Sequence, residues 1–113
     1  MSGVPMNFIE ILVYRTADGK IPYQNWLESI RDDRMRTRIR VRIDRLRLGN
    51  LGDTKSVGHG VHELRMHFGP GFRVYFGYDG QTIVVLLCGG DKSTQSRDIE
   101  NALLYWNDYK WRK

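Results

Sequence analysis

The chain has 113 residues, 41% of them hydrophobic, which suits one domain with a modest core and leaves little room for a second. A formal net charge of +5 and a pI of about 9.6 favour a polyanionic or acidic partner, although a merely basic soluble protein has the same balance. A single cysteine, Cys88, excludes an internal disulfide and is too isolated for a metal site.

The sequence also argues against membranes and cofactors. No apolar stretch is long enough to span a bilayer, and no basic segment followed by an apolar run marks a signal peptide, so we expect a cytoplasmic protein. Phosphate-binding loops, nucleophile elbows, zinc-ligand spacings and paired carboxylates are all missing from the sequence. We therefore expect no metal and no small-molecule cofactor.

The first part of the chain predicts one strand and a short helix. Residues Asn7 to Arg15 alternate, with β-branched and aromatic side chains, as a strand does. Pro22 suits the first turn of a helix. The apolar residues that follow recur at the spacing of an amphipathic helix: Tyr23, Trp26, Leu27 and Ile30.

The arginine-rich segment from Arg31 to Leu48 fits two periods. Arginines at every second position from Arg34 to Arg42 look like one face of a strand, whereas an apolar stripe fits one face of a helix. That stripe consists of Met35, Ile39, Ile43 and Leu46. We predict a helix, because arginines crowded along one strand face would repel one another, and we expect Arg42 to pack its stem while its head reaches solvent. The helix should end at Leu48-Gly49-Asn50.

Residues 51–60 are predicted to be a loop, and Val61 to Lys92 a three-stranded antiparallel meander. The turns are Gly69-Pro70-Gly71 and the Asp-Gly-Gln-Thr stretch that begins at Asp79. The third strand, Ile83 to Cys88, is apolar throughout, which is typical of a central strand covered on both faces, with Cys88 as a small core residue.

Alternation in the first two strands of the meander predicts a polar block on one face. If Phe68 lies opposite Phe72, then His67 lies opposite Arg73, and Arg65 opposite Tyr75. These four polar residues then share an outward face, and Lys92 follows the third strand close enough to join them.

The last segment predicts a helix capped by Ser96. Its apolar stripe consists of Ile99, Ala102, Leu103 and Trp106. The element order β-α-α-β-β-β-α predicts a single α+β domain over residues 1–113, with a mostly antiparallel four-stranded sheet and the helices on one face.

Several strings resemble those of the RelE/ParE superfamily of toxin–antitoxin toxins, in particular the HigB-like, phage-derived "addiction module killer protein" branch. The strings are G-D-T-K (Gly52 to Lys55), E-L-R (Glu63 to Arg65), G-P-G-F-R-V-Y-F (Gly69 to Phe76) and L-L-C-G-G-D-K-S-T-Q (Leu86 to Gln95). The resemblance implies a toxin that a helix-turn-helix antitoxin neutralises, acting as a ribosome-dependent mRNA endoribonuclease. ParE-like relatives imply an alternative, a non-catalytic inhibitor of DNA gyrase. A basic RNA-binding module without chemistry is a third hypothesis.

Metal-independent RNA cleavage needs a base for the 2′-hydroxyl, cations on the phosphate and an acid for the leaving 5′-oxygen. RelE-like ribonucleases use Arg, Lys and Tyr where ordinary ribonucleases use a histidine pair. The candidate catalytic residues are Arg65, Arg73, Tyr75, Lys92 and His67, and the candidate RNA-binding residues are Lys55, Arg36, Arg40 and Arg47.

Each candidate has an alternative structural interpretation. Arg73 could form a cross-strand ion pair with Glu63, and Tyr75 could cover the arginines instead of stacking a base or supplying a proton. Arg65 and His67 could be structural, and Lys92 a solvated loop lysine. The arginine-rich helix could track ribosomal RNA, bind an acidic antitoxin surface or be a solvated face.

Overall fold

A computed structural model describes residues 8–113. It has five strands, three α-helices and one short 3-10 turn. In chain order these are β1 (Glu10–Val13), α1 (Pro22–Ser29), α2 (Asp33–Arg47), β2 (Thr54–Gly58), β3 (Val61–Arg65), β4 (Arg73–Asp79), β5 (Ile83–Gly90), the 3-10 turn (Lys92–Thr94) and α3 (Gln95–Arg112). The α+β class is confirmed.

The strands form one mixed sheet in the order β1-β5-β4-β3-β2. β1 pairs with β5 in parallel, and the other three pairs are antiparallel. The predicted first strand is shorter than expected, and its Asn7 lies outside the described residues. The predicted number of strands was wrong, because β2 lies within the segment predicted to be a loop. Its residues, Thr-Lys-Ser-Val-Gly, are mostly polar, which is typical of an edge strand.

The arginine-rich segment is a helix, as predicted. Asp32 caps α2 by accepting hydrogen bonds from the backbone N–H groups of Arg34 (2.8 Å) and Met35 (3.4 Å). Gly49 has a φ of +88°, which ends the helix in the left-handed conformation that glycine tolerates. The buried stripe of α2 is Ile39, Ile43 and Leu46. Because this apolar stripe packs against the sheet, the segment adopts the helical period and not the strand period.

The helices cover both faces of the sheet, so the prediction of one covered face was wrong. α1 and α2 pack on one face, against Leu64, Val74 and Phe76 among others. α3 packs on the opposite face, where Ala102 and Trp106 join a cluster with Val85 and Leu87. Because β5 is apolar on both faces, each face needs a covering layer.

Trp106 fits against the sheet because β4 has Gly77 beneath it, where a Cβ would lie 2.6 Å from the indole ring. Cys88 is buried, as predicted, and its thiol donates to the carbonyl of Asp98 at 3.7 Å. Among the described residues, no helix is both long and apolar enough to cross a membrane.

The register of the meander differs from the predicted one by two residues. Arg65 pairs with Arg73 and Glu63 pairs with Tyr75, because the connection between β3 and β4 occupies residues 66–72. Gly69 (φ +59°) and Gly71 (φ +80°) allow this wider turn. Side chains alternate with a period of two, so the shift leaves Arg65, Arg73 and Tyr75 on their predicted face. His67 lies in the connection and not in a strand.

Candidate functional site

Four of the candidate catalytic residues line one open cleft of about 630 Å³. The cleft lies where β3 ends, beside the 66–72 connection and the junction between β5 and the 3-10 turn. The four residues are Arg65, His67, Arg73 and Lys92. Arg73 at the start of β4 pairs with Gly90 at the end of β5. Lys92 follows Gly90 by two residues and therefore lies at the same end of these two strands.

Local geometry fixes Lys92 at the cleft. Asp91 caps the 3-10 turn by accepting from the Ser93 backbone N–H at 2.8 Å. The aliphatic stem of Lys92 lies on Gly71, where an added Cβ would stand 3.0 Å from the lysine Cγ and Cδ. A side chain at position 71 would therefore crowd the lysine stem and would also be strained by the left-handed backbone there (φ +80°). The last helix, α3, begins at Gln95 with Thr94 at its N-cap position, so Ser96 lies inside the helix and the predicted cap at Ser96 was wrong.

Asp53 holds two of the cleft residues. Its Oδ1 accepts from Arg65 Nη2 (2.9 Å) and Nε (3.3 Å), and its Oδ2 lies 2.6 Å from His67 Nε2. These bonds, first from His67 and then from Arg65, lower the pKa of Asp53, so its carboxylate is ionised at neutral pH. An ionised carboxylate only accepts hydrogen bonds, so Nε2 carries the hydrogen and Nδ1 is the basic nitrogen. The His67 side chain is 75% exposed, which leaves Nδ1 accessible to a ligand.

The loop that carries Asp53 is anchored to α2 by Arg42. The Arg42 guanidinium donates to the backbone carbonyl oxygens of Asn50 (3.1 Å) and Leu51. Gly52, at φ +60°, lies against this guanidinium, and any Cβ there would collide with it. The Arg42 head is partly exposed at the groove but is bound to these carbonyls and does not extend freely into solvent as expected, and partial burial lowers its pKa. The Gly-Asp part of the G-D-T-K string thus has a physical role, which is to position Asp53.

A second carboxylate, Glu63, lies behind the cleft and is fully buried. Its Oε2 accepts from the Tyr75 hydroxyl (3.0 Å) and from Gln95 Nε2 (2.7 Å). Arg73 Nε lies 3.9 Å from the same oxygen, and only 8% of the Arg73 side chain is exposed. The ion pair of the alternative interpretation is therefore present. The expectation that Arg73 faces outward was wrong, because α3 covers this part of the face.

Tyr75 does not line the cleft, because it is fully buried. Burial, together with the neighbouring Glu63, raises the pKa of Tyr75 well above its usual range, so its hydroxyl stays protonated and donates to Glu63. A base cannot stack on a side chain without exposed surface, so the prediction of stacking at Tyr75 was wrong. Its position suits a different task, which is to hold Glu63 and, through it, Arg73.

Comparison with known proteins shows which family this chain belongs to. The family profile described as phage derived protein Gp49-like (DUF891) matches residues 25–103. The chain belongs to this Gp49-like family. It is the addiction-module killer family, associated with toxin–antitoxin modules and hence with an antitoxin partner. A Haemophilus influenzae protein named only as uncharacterized is 46% identical over 84 residues, which are 74% of this chain and 85% of that protein.

A second groove, which was not predicted from the sequence, lies within the residues that the Gp49-like profile matches. This groove, of about 440 Å³, adjoins the cleft and shares Arg65, Met66, His67 and Phe68 with it. α2 contributes three arginines at i, i+4 and i+7 spacing: Arg38, Arg42 and Arg45. The helical stripe of Ile39, Ile43 and Leu46 was the available signal, since it divides the arginines of α2 between its two edges, only one of which faces β3.

The four predicted RNA-binding residues lie outside the cleft and the groove. Arg36 donates to the Ile30 carbonyl and pairs with Asp33, and Arg47 pairs with Asp44 at 3.0 Å. Arg40 is exposed on α2, on the far side of the buried stripe from Arg38. Lys55 is exposed on β2, opposite Glu63 in register. The RNA-binding role of these four residues stays a prediction.

Proposed function

We propose that this Gp49-like protein is the toxin of a type II toxin–antitoxin module, of RelE/ParE type and HigB-like, and that it cuts mRNA on the ribosome without a metal. The observation that carries the proposal is the cleft, in which three cationic side chains and a histidine meet. Two carboxylates support them from behind: Asp53 holds Arg65 and His67, and Glu63 faces Arg73.

Each cleft residue has a role in transesterification. His67 Nδ1 accepts the proton of the 2′-hydroxyl, and the 2′-oxygen attacks the adjacent phosphorus. Arg73 and Arg65 bind the non-bridging oxygens as negative charge develops there. Lys92 gives a proton to the departing 5′-oxygen as the P–O5′ bond breaks. The products are a 2′,3′-cyclic phosphate and a free 5′-hydroxyl, so no water, metal or cofactor is consumed.

The open shape of the cleft suits a nuclease that needs the ribosome. An open cleft does not by itself fix the 2′-oxygen in line with the leaving oxygen, whereas mRNA bound in the decoding region is already held. The four cations outside the cleft and the groove are the candidates for contact with ribosomal RNA, namely Arg36, Arg40, Arg47 and Lys55. A helix-turn-helix antitoxin would end the activity by covering this basic surface.

The experiment that tests the proposal is primer extension on mRNA. Expression of the protein alone should arrest growth, and co-expression of its antitoxin should restore it. Purified protein should produce discrete cuts within mRNA on translating ribosomes and little cleavage of the same RNA when naked.

The other outcomes separate the alternatives. Equal cutting of naked RNA would remove the ribosome from the proposal but leave a nuclease. Growth arrest without any cut, together with inhibited supercoiling by DNA gyrase, would instead establish the ParE-like function. RNA binding with neither effect would leave a basic RNA-binding module.

A further inference from the structure

The groove beside the cleft contains a flat, layered surface. The Arg38 guanidinium lies over the ring of Phe68, with Cζ 4.0 Å from the ring centroid. Phe68 is itself braced edge-on by Phe72, with ring centroids 5.8 Å apart. Two further aromatic contacts, from Trp26 to Phe72 and from Tyr23 to Trp26, continue this packing into the core. The Phe68 ring beneath the guanidinium is therefore held in place by the core, although Arg38 itself is exposed.

The charges around this surface favour a nucleic-acid backbone. The groove is lined by four arginines and one aspartate, and Asp53 is already occupied by Arg65 and His67. Arg42 is engaged with loop carbonyls, which leaves Arg45 as the cation beside Arg38 on the groove face of α2. Val41 lies between them and supplies apolar contact.

We infer that the groove is a second subsite for single-stranded RNA, in which a base stacks on the Arg38 guanidinium and Arg45 binds a phosphate. Unpaired bases stack on aromatic rings and guanidinium planes, and a positively charged groove follows their backbone. The groove and the cleft share the Arg65–Phe68 segment, so a strand in the groove continues directly into the cleft. A base in a duplex is already stacked within its helix, so duplex RNA cannot use this surface. The inference rests on the proposed function, because it names a nucleotide flanking the cleaved one.

Two substitutions distinguish stacking from charge. The probe is a fluorescein-labelled, fully 2′-O-methylated single-stranded oligonucleotide, which cannot be cut, and binding to the full-length protein is measured by anisotropy over a range of salt. Arg38→Lys keeps the charge but removes the plane, so it should weaken binding on the order of 10-fold with an unchanged salt slope. Arg45→Gln should weaken binding and reduce the slope of log Kd against log salt by about 0.7, the value for one phosphate contact.

Further variants and a duplex complete the test. Phe68→Leu removes the support of the guanidinium and should match Arg38→Lys, whereas Phe68→Trp should restore binding. Arg15→Gln removes one positive charge, as Arg45→Gln does, but lies two residues after β1, the strand at the opposite edge of the sheet. It should change the affinity less than twofold. Melting curves identify any variant that fails to fold.

The inference is overturned if the unaltered protein does not bind the strand at low salt or binds a duplex of the same sequence equally well. It is also overturned if Arg38→Lys and Phe68→Leu bind as tightly as Arg15→Gln. Because the probe cannot be cleaved, its binding is measured separately from catalysis, and the Arg38, Phe68 and Arg45 variants report on the groove. A protein whose binding depends on Arg38 and Phe68 but that never cuts mRNA on the ribosome would support the subsite and contradict the nuclease.

Discussion

Replacing Arg73 with alanine should abolish mRNA cleavage and also destabilise the fold. Loss of a charge that stabilises a transition state costs about 100-fold or more in rate. The same change leaves the fully buried Glu63 without its cation, and removing one partner of a buried ion pair costs about 3–5 kcal/mol. Cleavage in a single-turnover assay and the free energy of unfolding in urea measure the two effects.

A second variant separates these two effects. Combining Arg73→Met with Glu63→Gln replaces the charged pair with a neutral one, while the new amide oxygen can still accept from the Tyr75 hydroxyl, as the carboxylate does now. Stability should return towards that of the unaltered protein, whereas cleavage should stay lost. A stable double variant that cleaves normally would show that Arg73 is structural.

Replacing His67 with glutamine should slow cleavage by about 100- to 10,000-fold, which is the usual contribution of a general base. His67 is exposed, so the change in stability should be small, limited to the loss of its hydrogen bond to Asp53. The matched control is His59→Gln, at the exposed turn between β2 and β3, away from the cleft. Equal rates for the two variants would contradict the role of His67.

Asp53, the hydrogen-bond partner of His67, should make the stability of the protein depend on pH. The pKa of Asp53 is lowered in the folded protein, so its contribution to stability is present above the unfolded value of about 3.9 and is lost as the pH falls through the folded value. The unaltered protein should therefore lose more stability in acid than Asp53→Asn does. At neutral pH Asp53→Asn should cleave more slowly, because an amide fixes the imidazole tautomer less well.

The alternation of polar and apolar residues predicted which face of the sheet a residue lies on better than it predicted which residues are in contact. Alternation in β3 and β4 placed Arg65 and Arg73 on one face, and the two-residue error in register did not change that, since faces repeat every two residues. Burial of Tyr75 was not predictable in the same way, because it depends on where α3 returns in space. Polar β2 had no apolar pattern to mark it as a strand.

The residues that hold the candidate site in place were not predicted from the sequence. Asp53 lies 12 and 14 residues from the side chains that it holds, Arg65 and His67, and lies between two glycine-containing stretches that read as a loop. The arginines of the groove were hidden among many others on α2. Choosing Arg38 and Arg45 required knowing which edge of the apolar stripe faces β3.

The most direct test of the central claim is the single-turnover rate of mRNA cleavage at saturating ribosome concentration, measured for two variants beside the unaltered protein. Lys92→Ala changes an exposed residue of the cleft, and Arg36→Ala combined with Arg40→Ala changes the far face of α2. If the cleft is the active site, Lys92→Ala cleaves on the order of 100-fold more slowly even at saturation. The α2 variant needs more ribosomes to saturate but then reaches the rate of the unaltered protein. A Lys92→Ala protein that cleaves at full rate, beside an α2 variant that does not, would contradict the assignment of the active site to the cleft.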